Sequence, residues 1–338
     1  MPVYNVEKYV ERALISALNQ TFDSIEFLII DDKGADASMD IVREIVSKHP
    51  RGNHVRIIDH IVNQGTGATK NTAIKEAKGE YLFFMDSDDE LSSDAIQILY
   101  DAMMKCPVDY VAASYQVYDV NGKVAGQVIL PKMEMSGKYA LGHYFYDECN
   151  VYYVACWNKL YDISFLRNYK IHCIPSHLCE DQLFSFQVAL HASSFIFLDS
   201  VTYNYFLRND STMNVEWSIG LTRRTAQQWR EIFDYKKTMI FRDGYFGEYG
   251  HLFINELLNS IRDKLFTVIF SSSLTFKEKC HYISTFCDVP LKREMFTYIR
   301  NAQTRHLFSV IHFFNLPCLK IVTIYAYVYS IMIKKKLC

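Results

Sequence analysis

The sequence predicts an α/β fold in which a mostly parallel sheet is flanked by helices. Three short apolar runs have the length and composition of buried strands. Two segments with helical periodicity lie between them, so strand and helix alternate as in a doubly wound sheet. The strands are Ile25–Ile30, Val55–Asp59 and Tyr81–Met85, and the helices between them are Met39–Lys48 and Ala68–Ala77.

Length and composition exclude several classes of protein. The 338 residues are enough for two domains, and a hydrophobic fraction of 50% can fill a core. A net charge of −2 gives no case for a nucleic-acid partner. The nine cysteines show neither a CxxC pair nor metal-type spacing, so neither a zinc site nor a disulfide framework is indicated. This usage fits a reducing compartment, and we expect a cytoplasmic location.

A cluster of acidic residues directly follows the third strand. Asp86, Asp88 and Asp89 come at the end of the apolar run Tyr81–Met85. Ligands of open α/β sheets bind outside the carboxyl ends of the strands, and oxygen ligands suit hard divalent cations. The pattern therefore predicts a metal-dependent site here. The alternative is a solvated acidic turn before the helix Ser92–Lys105, since Asp and Ser also favour turns.

A second acidic strand end supports the prediction of a polar site. Asp31 and Asp32 follow the strand Ile25–Ile30, and two such ends on one sheet edge would form one polar crevice. The Gly-rich turn Asn63–Gly67 lacks the third glycine of a dinucleotide fingerprint, and no P-loop sequence is present.

Eight short motifs occur in a fixed order along the chain. They are Pro2-Val3-Tyr4-Asn5, Asn19-Gln20-Thr21, Asp31-Asp32, Gly79-Glu80-Tyr81, Asp86-Ser87-Asp88-Asp89, Trp157-Asn158-Lys159-Leu160, Glu180-Asp181-Gln182-Leu183-Phe184 and Arg208-Asn209-Asp210-Ser211. In order and spacing the set resembles that of family 2 glycosyltransferases, which are inverting, nucleotide-sugar-dependent enzymes with the Rossmann-like GT-A fold. The likeness covers Met1–Asn214, so we expect a GT-A domain over residues 1–214 and a helical region over 215–338.

The resemblance implies a role for each matching residue. It implies a UDP-sugar donor, Mn²⁺ or Mg²⁺ as cofactor, and an acceptor hydroxyl on a cell-surface or lipid-linked glycan. Asp181 matches the general base of the family, and Asp88 and Asp86 match its metal-binding pair. The implied donor-binding residues are Pro2, Val3, Tyr4, Asn5, Asp32, Lys70, Asp86, Ser87, Arg208 and Ser211, and those on the acceptor side are Trp157, Lys159 and Glu180.

The chain departs from the family pattern at three places. Family members usually have a full hydrophobic strand before the first motif, whereas only Met1 precedes it here. The resemblance thus implies a strand upstream of Met1, central to the sheet. The usual Gly-Ser-Thr is replaced by Lys33-Gly34-Ala35. The usual Ala-Arg-Asn is Thr69-Lys70-Asn71, which keeps a cation but not the bidentate guanidinium.

Structural explanations remain open for several of these residues. Glu180 and Asp181 begin the predicted helix Gln182–His191, where acids are also stabilised by the helix macrodipole. Trp157 and Lys159 are equally consistent with a core tryptophan and a surface lysine.

The last part of the chain is predicted to be helical. Helices are expected at Gly220–Ile240, Phe253–Phe270, Phe276–Phe286 and Leu316–Ile333. In the last of these, the apolar-to-neutral run after Lys320 has 13 residues, too few for a confident membrane span. Its aromatic residues precede Lys334–Lys336, which suits peripheral contact of residues 316–338 with an anionic membrane surface at the inner face of the cell membrane. Packing on the catalytic domain, or dimerisation, is the alternative.

Two other functional classes compete with glycosyl transfer. A metal-dependent phosphohydrolase of the haloacid type would need Thr or Val where Glu90 stands. A non-catalytic nucleotide-sugar binding protein would not need the carboxylate of Asp181.

Overall fold

The protein is described by a computed structural model that covers residues 1–148, 154–175, 179–209, 211, 221–242 and 246–313. The chain forms two compact units. The first comprises Met1–Leu141 and Tyr153–Ser211, and the second comprises Gly142–Tyr152 and Thr212–Cys338. The domain division at residue 214 stays a prediction, and the expected helix Leu316–Ile333 lies outside the described residues.

The strands lie in the first unit. In chain order they are β1 (Pro2–Val3), β2 (Phe27–Asp31), β3 (Val55–Asp59), β4 (Tyr81–Phe83), β5 (Glu90–Leu91), β6 (Tyr110–Tyr118), β7 (Val124–Val128), β8 (Met133–Ser136), β9 (Lys159–Asp162) and β10 (Ser194–Phe206).

Helices occur in both units. In chain order they are α1 (Val10–Leu18), α2 (Ser38–Lys48), α3 (Thr66–Glu76), α4 (Ala95–Lys105), α5 (Ala140–His143), α6 (Ile163–Asn168), α7 (Glu180–His191), α8 (Arg223–Arg242), α9 (Phe246–Phe270), α10 (Phe276–Cys287) and α11 (Ala302–Phe313). Gly52–His54 and Arg293–Tyr298 form 3₁₀ turns, and Tyr144–Glu148 forms a π-helical turn.

The strands of the first unit form two sheets. A three-stranded sheet has the order β1-β2-β3 with parallel pairing throughout. A seven-stranded sheet has the order β4-β9-β6-β10-β5, with β7 added to β6 and β8 added to β10. Helices flank these sheets, so the mixed α/β fold is confirmed.

The larger sheet differs from the parallel sheet that the alternation predicts. Among its described pairs only β6 and β10 run parallel. The strand at Tyr81 is an edge strand of this sheet, antiparallel to β9. One antiparallel pair, β6 and β7, is joined by a short connection, the Asn121-Gly122 turn, where Gly122 has φ +74°, whereas the other antiparallel pairs join strands that are distant in the chain. Short connections favour antiparallel neighbours.

One pocket is lined by residues of both sheets. It has a volume of about 480 Å³ and is lined by residues of β2, β4 and β9, among them Leu28, Leu82 and Leu160. The strand expected upstream of Met1 stays a prediction.

The long strand β10 carries an irregularity that matters for the site. Its pairing with β6 passes from Leu198 opposite Ala113 to Tyr203 opposite Tyr115, so three additional residues are accommodated on β10 over two residue steps of β6. Such bulges bend a strand and re-aim its side chains.

The packing of the first unit follows from the apolar face of α1. Val10, Leu14 and Leu18 recur at helical spacing and are fully buried. They join one apolar cluster with residues of β2 and with Trp157 and Tyr203. The helical spacing of these apolar residues predicts a helix over Glu7–Gln20, and the structure confirms it over the shorter range Val10–Leu18.

The sequence predicts Ser38 as the N-cap of the helix Met39–Lys48, and the start of α2 differs from this prediction. Ala37 is the N-cap residue, and Ser38 is already the first helical residue. The Ser38 hydroxyl accepts from the Val6 N–H at 2.8 Å and donates to Asp36 at 2.6 Å. Ser38 therefore ties the loop after β1 to the loop before α2 and does not cap the helix.

The second unit is helical in its described part. The helices α8, α9 and α10 confirm three expected helices with shifted ends. α10 begins with a capping box, in which Thr275 accepts from the Glu278 N–H and Glu278 accepts from the Thr275 N–H. The buried Lys236 ammonium of α8 donates to Glu256 of α9 at 2.6 Å. None of the helices in the described ranges combines the length and the apolar composition that crossing a bilayer requires.

Substitution of Gly67 tests how tightly α3 is packed. A Cβ at this position would lie 2.4 Å from the carbonyl oxygen of Ile174. Gly67→Ala should therefore lower the free energy of unfolding by about 1–3 kcal/mol, even though alanine is the better helix former. Urea unfolding measures the change. Gly126→Ala is the matched control, since no atom lies within 4 Å of its Cβ, and it should change stability by less than about 0.5 kcal/mol. Equal effects of the two substitutions would contradict the packing argument.

Candidate active site

The acidic turn after β4 brings three carboxylates together. One oxygen each of Asp86, Asp88 and Asp89 lies within 4.8 Å of the others. Asp89 is buried and accepts from the Tyr203 hydroxyl at 2.9 Å and from the Phe206 N–H at 2.8 Å. Burial raises the pKa of Asp89 well above its usual value, and the neighbouring aspartates add to the shift. Asp89 therefore fastens the turn to β10.

Tyr203 makes a second contact with this turn, Arg12 makes another, and no sequence motif marks either residue. The Tyr203 oxygen also accepts from the Asp86 N–H at 3.2 Å. Arg12 of α1 donates to the Asp88 carbonyl oxygen at 2.7 Å and pairs with Glu90 at 2.7 Å. Its guanidinium lies 3.6 Å from the centre of the Phe206 ring. The partners are far apart in the sequence, so no local motif could reveal them.

Asp86 and Asp88 are the carboxylates of this turn that remain for a ligand. Burial raises the pKa of Asp86 to about 6; Lys70 opposes the shift, and Asp88 and Asp181 add to it. Asp88 forms an ion pair with Arg208 at 2.5 Å. The Arg208 guanidinium also lies over the Tyr9 ring, 4.7 Å from its centre.

The oxygen donors of the turn fit a hard divalent cation. Mg²⁺ and Mn²⁺ prefer carboxylate oxygens and are commonly held by one or two carboxylates together with substrate phosphates. Both oxygens of Asp89 are engaged by protein donors, which leaves Asp86 and Asp88 as the candidate ligands. Ser87 is buried between them.

Asp32 lies at the end of β2 and organises the turn before α3. Its Oδ1 accepts from the Gln64 N–H at 2.9 Å and lies 2.7 Å from Nδ1 of His60. Its Oδ2 accepts from the Gly65 N–H at 2.8 Å and from the Asn63 amide at 3.0 Å. A carboxylate offers about four lone-pair sites, so contact with a nucleoside would require one of these bonds to be exchanged.

The Pro2–Asn5 segment runs along the end of β2. Val3 is buried in β1, whereas Tyr4 is 47% exposed. Asn5 adopts φ +50°, and its side chain accepts from the Ala35 N–H at 2.8 Å. A Cβ on Gly34 would lie 2.8 Å from Asn5, so this close approach needs glycine. The segment is thereby fixed beside the acidic strand end.

A second polar cluster forms where α7 begins. Glu180 and Asp181 are the first two residues of this helix. The Lys70 ammonium of α3 lies 3.1 Å from Oε1 of Glu180 and 2.5 Å from Oδ1 of Asp181. The Cys156 thiol donates to the same Oδ1 of Asp181 at 2.8 Å. Sequence reasoning missed Cys156, because an isolated cysteine carries no motif.

The charged groups of this cluster shift one another's pKa values. Burial alone would lower the pKa of Lys70, but Asp181, Cys156, Glu180 and Asp86 together raise it well above its usual value. Lys70 is therefore a cation at neutral pH. Burial raises the pKa of Glu180 to about 7, although Lys70 opposes the shift.

The segment that contains Trp157 and Lys159 is buried. Trp157 stacks on Tyr203 and Tyr205, with ring centres 4.5 Å and 5.4 Å apart. Lys159 donates to the carbonyl oxygens of Ala155 and Trp157. Burial lowers the pKa of Lys159 to about 8. Both residues thus have structural contacts, and their acceptor-side role stays a prediction. Beyond β10, the Ser211 N–H donates to the Arg208 carbonyl oxygen at 3.4 Å.

Comparison with known proteins identifies the family of this chain. Residues 1–170 match the sequence family described as Glycosyl transferase family 2. The chain belongs to this family. A relative from Bacillus subtilis, named putative glycosyltransferase EpsH, is 33% identical over 220 residues, which cover 60% of this chain and 58% of the relative. Poly(ribitol-phosphate) beta-glucosyltransferase from Bacillus spizizenii is 29% identical over 215 residues, which cover 62% of this chain and 32% of the relative.

Solved structures extend the likeness of this family 2 chain to its fold. The crystal structure of residues 1–349 of S. aureus TarS in complex with UDP-GlcNAc superposes with a TM-score of 0.75 at 19% identity. The match covers 99% of this chain and 90% of the TarS chain. The expected GT-A fold is thereby confirmed. The chain itself spans only between 32% and 58% of the length of the two Bacillus relatives.

The raised pKa of Asp86 predicts a pH-dependent stability effect. A carboxyl group whose pKa rises on folding reduces stability once it ionises, so the cost is present above about pH 6 and absent below the usual pKa near 3.8. Asp86→Asn removes this cost. Without divalent metal at pH 7.5, it should raise the free energy of unfolding by about 1–3 kcal/mol.

The measurement is denaturant unfolding in EDTA at several pH values. The gain from Asp86→Asn should shrink steadily as the pH falls from 7 towards 4, so the low-pH point is the internal control. A loss of stability at pH 7.5, or a gain independent of pH, would contradict the stated cause.

Proposed function

We propose that this protein is an inverting glycosyltransferase that moves a sugar from a UDP-sugar to a hydroxyl group of a cell-surface glycan. Family membership supports glycosyl transfer in general. The observation that carries the finer proposal is the pairing of two clusters in one unit: the carboxylates of Asp86 and Asp88, and the anchored carboxylate of Asp181. The clusters are close enough for Asp181 to contribute to the raised pKa of Asp86.

The donor is assigned to the acidic ends of β2 and β4, which belong to two different sheets and not to one sheet edge as the sequence predicted. The Pro2–Asn5 segment and Asp32 would hold the nucleoside, and Arg208 with Ser211 would bind the diphosphate. An arginine fork suits phosphate oxygens, and Arg208 already lies at the acidic turn. The TarS complexes with UDP and UDP-GlcNAc support a UDP-linked donor.

Catalysis is assigned to Asp181. The acceptor hydroxyl attacks the anomeric carbon on the face opposite the diphosphate, and Asp181 takes the hydroxyl proton as general base. Mn²⁺ or Mg²⁺ held by Asp86 and Asp88 would offset the charge that builds on the departing diphosphate. Positioning of donor and acceptor supplies much of the remaining rate.

The acceptor is proposed from the relatives. The Bacillus spizizenii relative is named for glucosyl transfer to poly(ribitol-phosphate), which supports a polyhydroxylated cell-surface polymer as the acceptor class. A screen of UDP-sugar donors distinguishes a hexose from an N-acetylhexosamine as the transferred sugar. Peripheral membrane contact through residues 316–338, the cytoplasmic location and dimerisation stay predictions.

Asp88→Ala tests the metal assignment. The Asp88 side chain is 17% exposed, lies in the acidic turn and makes no apolar contact in the core, so the fold should survive. The gain in UDP affinity that Mn²⁺ gives the unsubstituted protein should disappear. Calorimetry with and without Mn²⁺ measures this, with Asp101→Ala on the exposed face of α4 as the control. Retention of the full Mn²⁺-dependent gain in Asp88→Ala would rule out Asp88 as a ligand.

Asp181→Asn separates an enzyme from a binding protein. The substitution keeps size and polarity but removes the base, so kcat should fall by at least about a hundredfold. UDP affinity should change by less than about threefold, because the proposed donor contacts lie elsewhere. The measurements are kcat with a matched donor and acceptor and UDP binding by calorimetry. Near-normal kcat would transfer the role of base to Glu180, and a collapse of UDP affinity would place Asp181 in the donor site.

A further inference from the structure

We propose that Lys70 and Cys156 are positioning residues that bind the Asp181 carboxylate through Oδ1 and leave Oδ2 as the oxygen that receives the acceptor proton. The proposal rests on the proposed function, since it needs Asp181 as the base. It assigns Lys70 to the base and removes it from the donor site.

Both anchors reach the same oxygen. The Lys70 ammonium lies 2.5 Å from Oδ1 of Asp181, and the Cys156 sulfur lies 2.8 Å from it. Lys70 is 2% exposed and Cys156 is fully buried, whereas the Asp181 side chain is 24% exposed. The buried end of the carboxylate is therefore Oδ1. We assign the exposed part of the side chain to Oδ2, where an acceptor hydroxyl can approach.

Lys70 is committed to the carboxylates of α7. Its ammonium also binds Oε1 of Glu180 at 3.1 Å, and its side chain has almost no surface left for a nucleotide. Its helix is locked in place next to the segment before α7. The Asn71 side chain exchanges two hydrogen bonds with the backbone of Cys173, both of 2.8 Å, and Gly67 packs closely against Ile174. These contacts hold the backbone of α3 against Cys173 and Ile174 and thereby help to position Lys70 near Asp181.

Cys156 is fixed from the other side. The Ser185 hydroxyl of α7 donates to the Val154 carbonyl oxygen at 2.5 Å, and the Tyr161 hydroxyl donates to the Cys156 carbonyl oxygen at 3.3 Å. The first bond ties the segment around Cys156 to the helix that carries Asp181, and the second ties it to β9. The thiol can then orient the carboxylate without adding charge.

The geometry gives each atom a defined part in the transfer. The acceptor O–H bond breaks and its proton forms a bond to Oδ2 of Asp181. The acceptor oxygen forms the new bond to the anomeric carbon, and the old bond to the diphosphate oxygen breaks with its electron pair leaving on UDP. Lys70 compensates the carboxylate charge before the proton arrives, and Oδ1 stays bound throughout.

Substitution of Cys156 is the primary test. Cys156→Ala removes one anchor of Oδ1 and should lower kcat about fivefold or more, with UDP affinity changed less than about twofold. Cys156→Ser offers a hydroxyl donor in the same place and should recover most of the lost kcat. Cys287→Ala, which removes a buried thiol of the helical unit, is the matched control and should leave kcat unchanged. If Cys156 has only a structural role, Cys156→Ala should lower stability without lowering kcat more than it changes UDP affinity.

Substitution of Lys70 is a second, independent test of the proposal. Lys70→Met removes the cation and should lower kcat at least about a hundredfold with UDP affinity within about threefold, whereas Lys70→Arg keeps a cation and should retain more activity. Thermal unfolding identifies a Lys70 variant that has lost its fold. In that case the Cys156 variants alone test the proposal. If Lys70→Met weakens UDP binding more than tenfold, Lys70 belongs to the donor site and the proposal is wrong. If Asp181→Asn leaves kcat unchanged, the proposed base itself is wrong. If Asp181→Asn lowers kcat but Cys156→Ala does not, only the positioning role is overturned.

Discussion

The buried ammonium group of Lys70 is the contact on which the candidate site depends. It is 2% exposed and joins α3, which follows the first sheet, to the two acids that begin α7. Removing one partner from a buried ion pair leaves an uncompensated charge, which costs far more than a surface pair gains. The cluster therefore fixes where the carboxylates of Glu180 and Asp181 lie. It also brings a positive charge near Asp86, which opposes the rise in the pKa of that carboxyl.

The parts of the site that the sequence predicts are those encoded locally. An apolar run followed by carboxylates predicted both the strand at Tyr81 and the acidic turn after it, and the order of motifs predicted the family. Arg12, Tyr203 and Cys156 were beyond such reasoning, because their partners lie 76, 114 and 25 residues away. Arginine, tyrosine and cysteine are also common in helices and cores for other reasons. Only the folded chain shows which oxygen each of them reaches.

The fold shows the same division between local and distant information. Helix positions follow from apolar periodicity, and the errors lie at their ends, as at Ser38, whose hydroxyl binds a distant loop. Strand direction in the larger sheet could not be predicted from the alternation of strands and helices, because it depends on which distant strands pair in the folded chain. The same limit explains Asp32, whose carboxylate is surrounded by donors from the turn at residues 63–65 and by His60.

The bulge of β10 restricts insertions and deletions in this strand. Three additional residues between Leu198 and Tyr203 set the face on which Tyr203 meets Asp89. Side chains alternate between the two faces of a strand, so loss or gain of one residue there would turn Tyr203 away from the acidic turn and bring a neighbour into its place. Insertions and deletions are usually absorbed in irregular segments. Here an irregular segment works as a spacer of fixed length. The number of residues over 199–202 is therefore constrained by Tyr203, and the buried hydroxyl of Thr202 is held in addition by its hydrogen bond of 2.7 Å to Asn158.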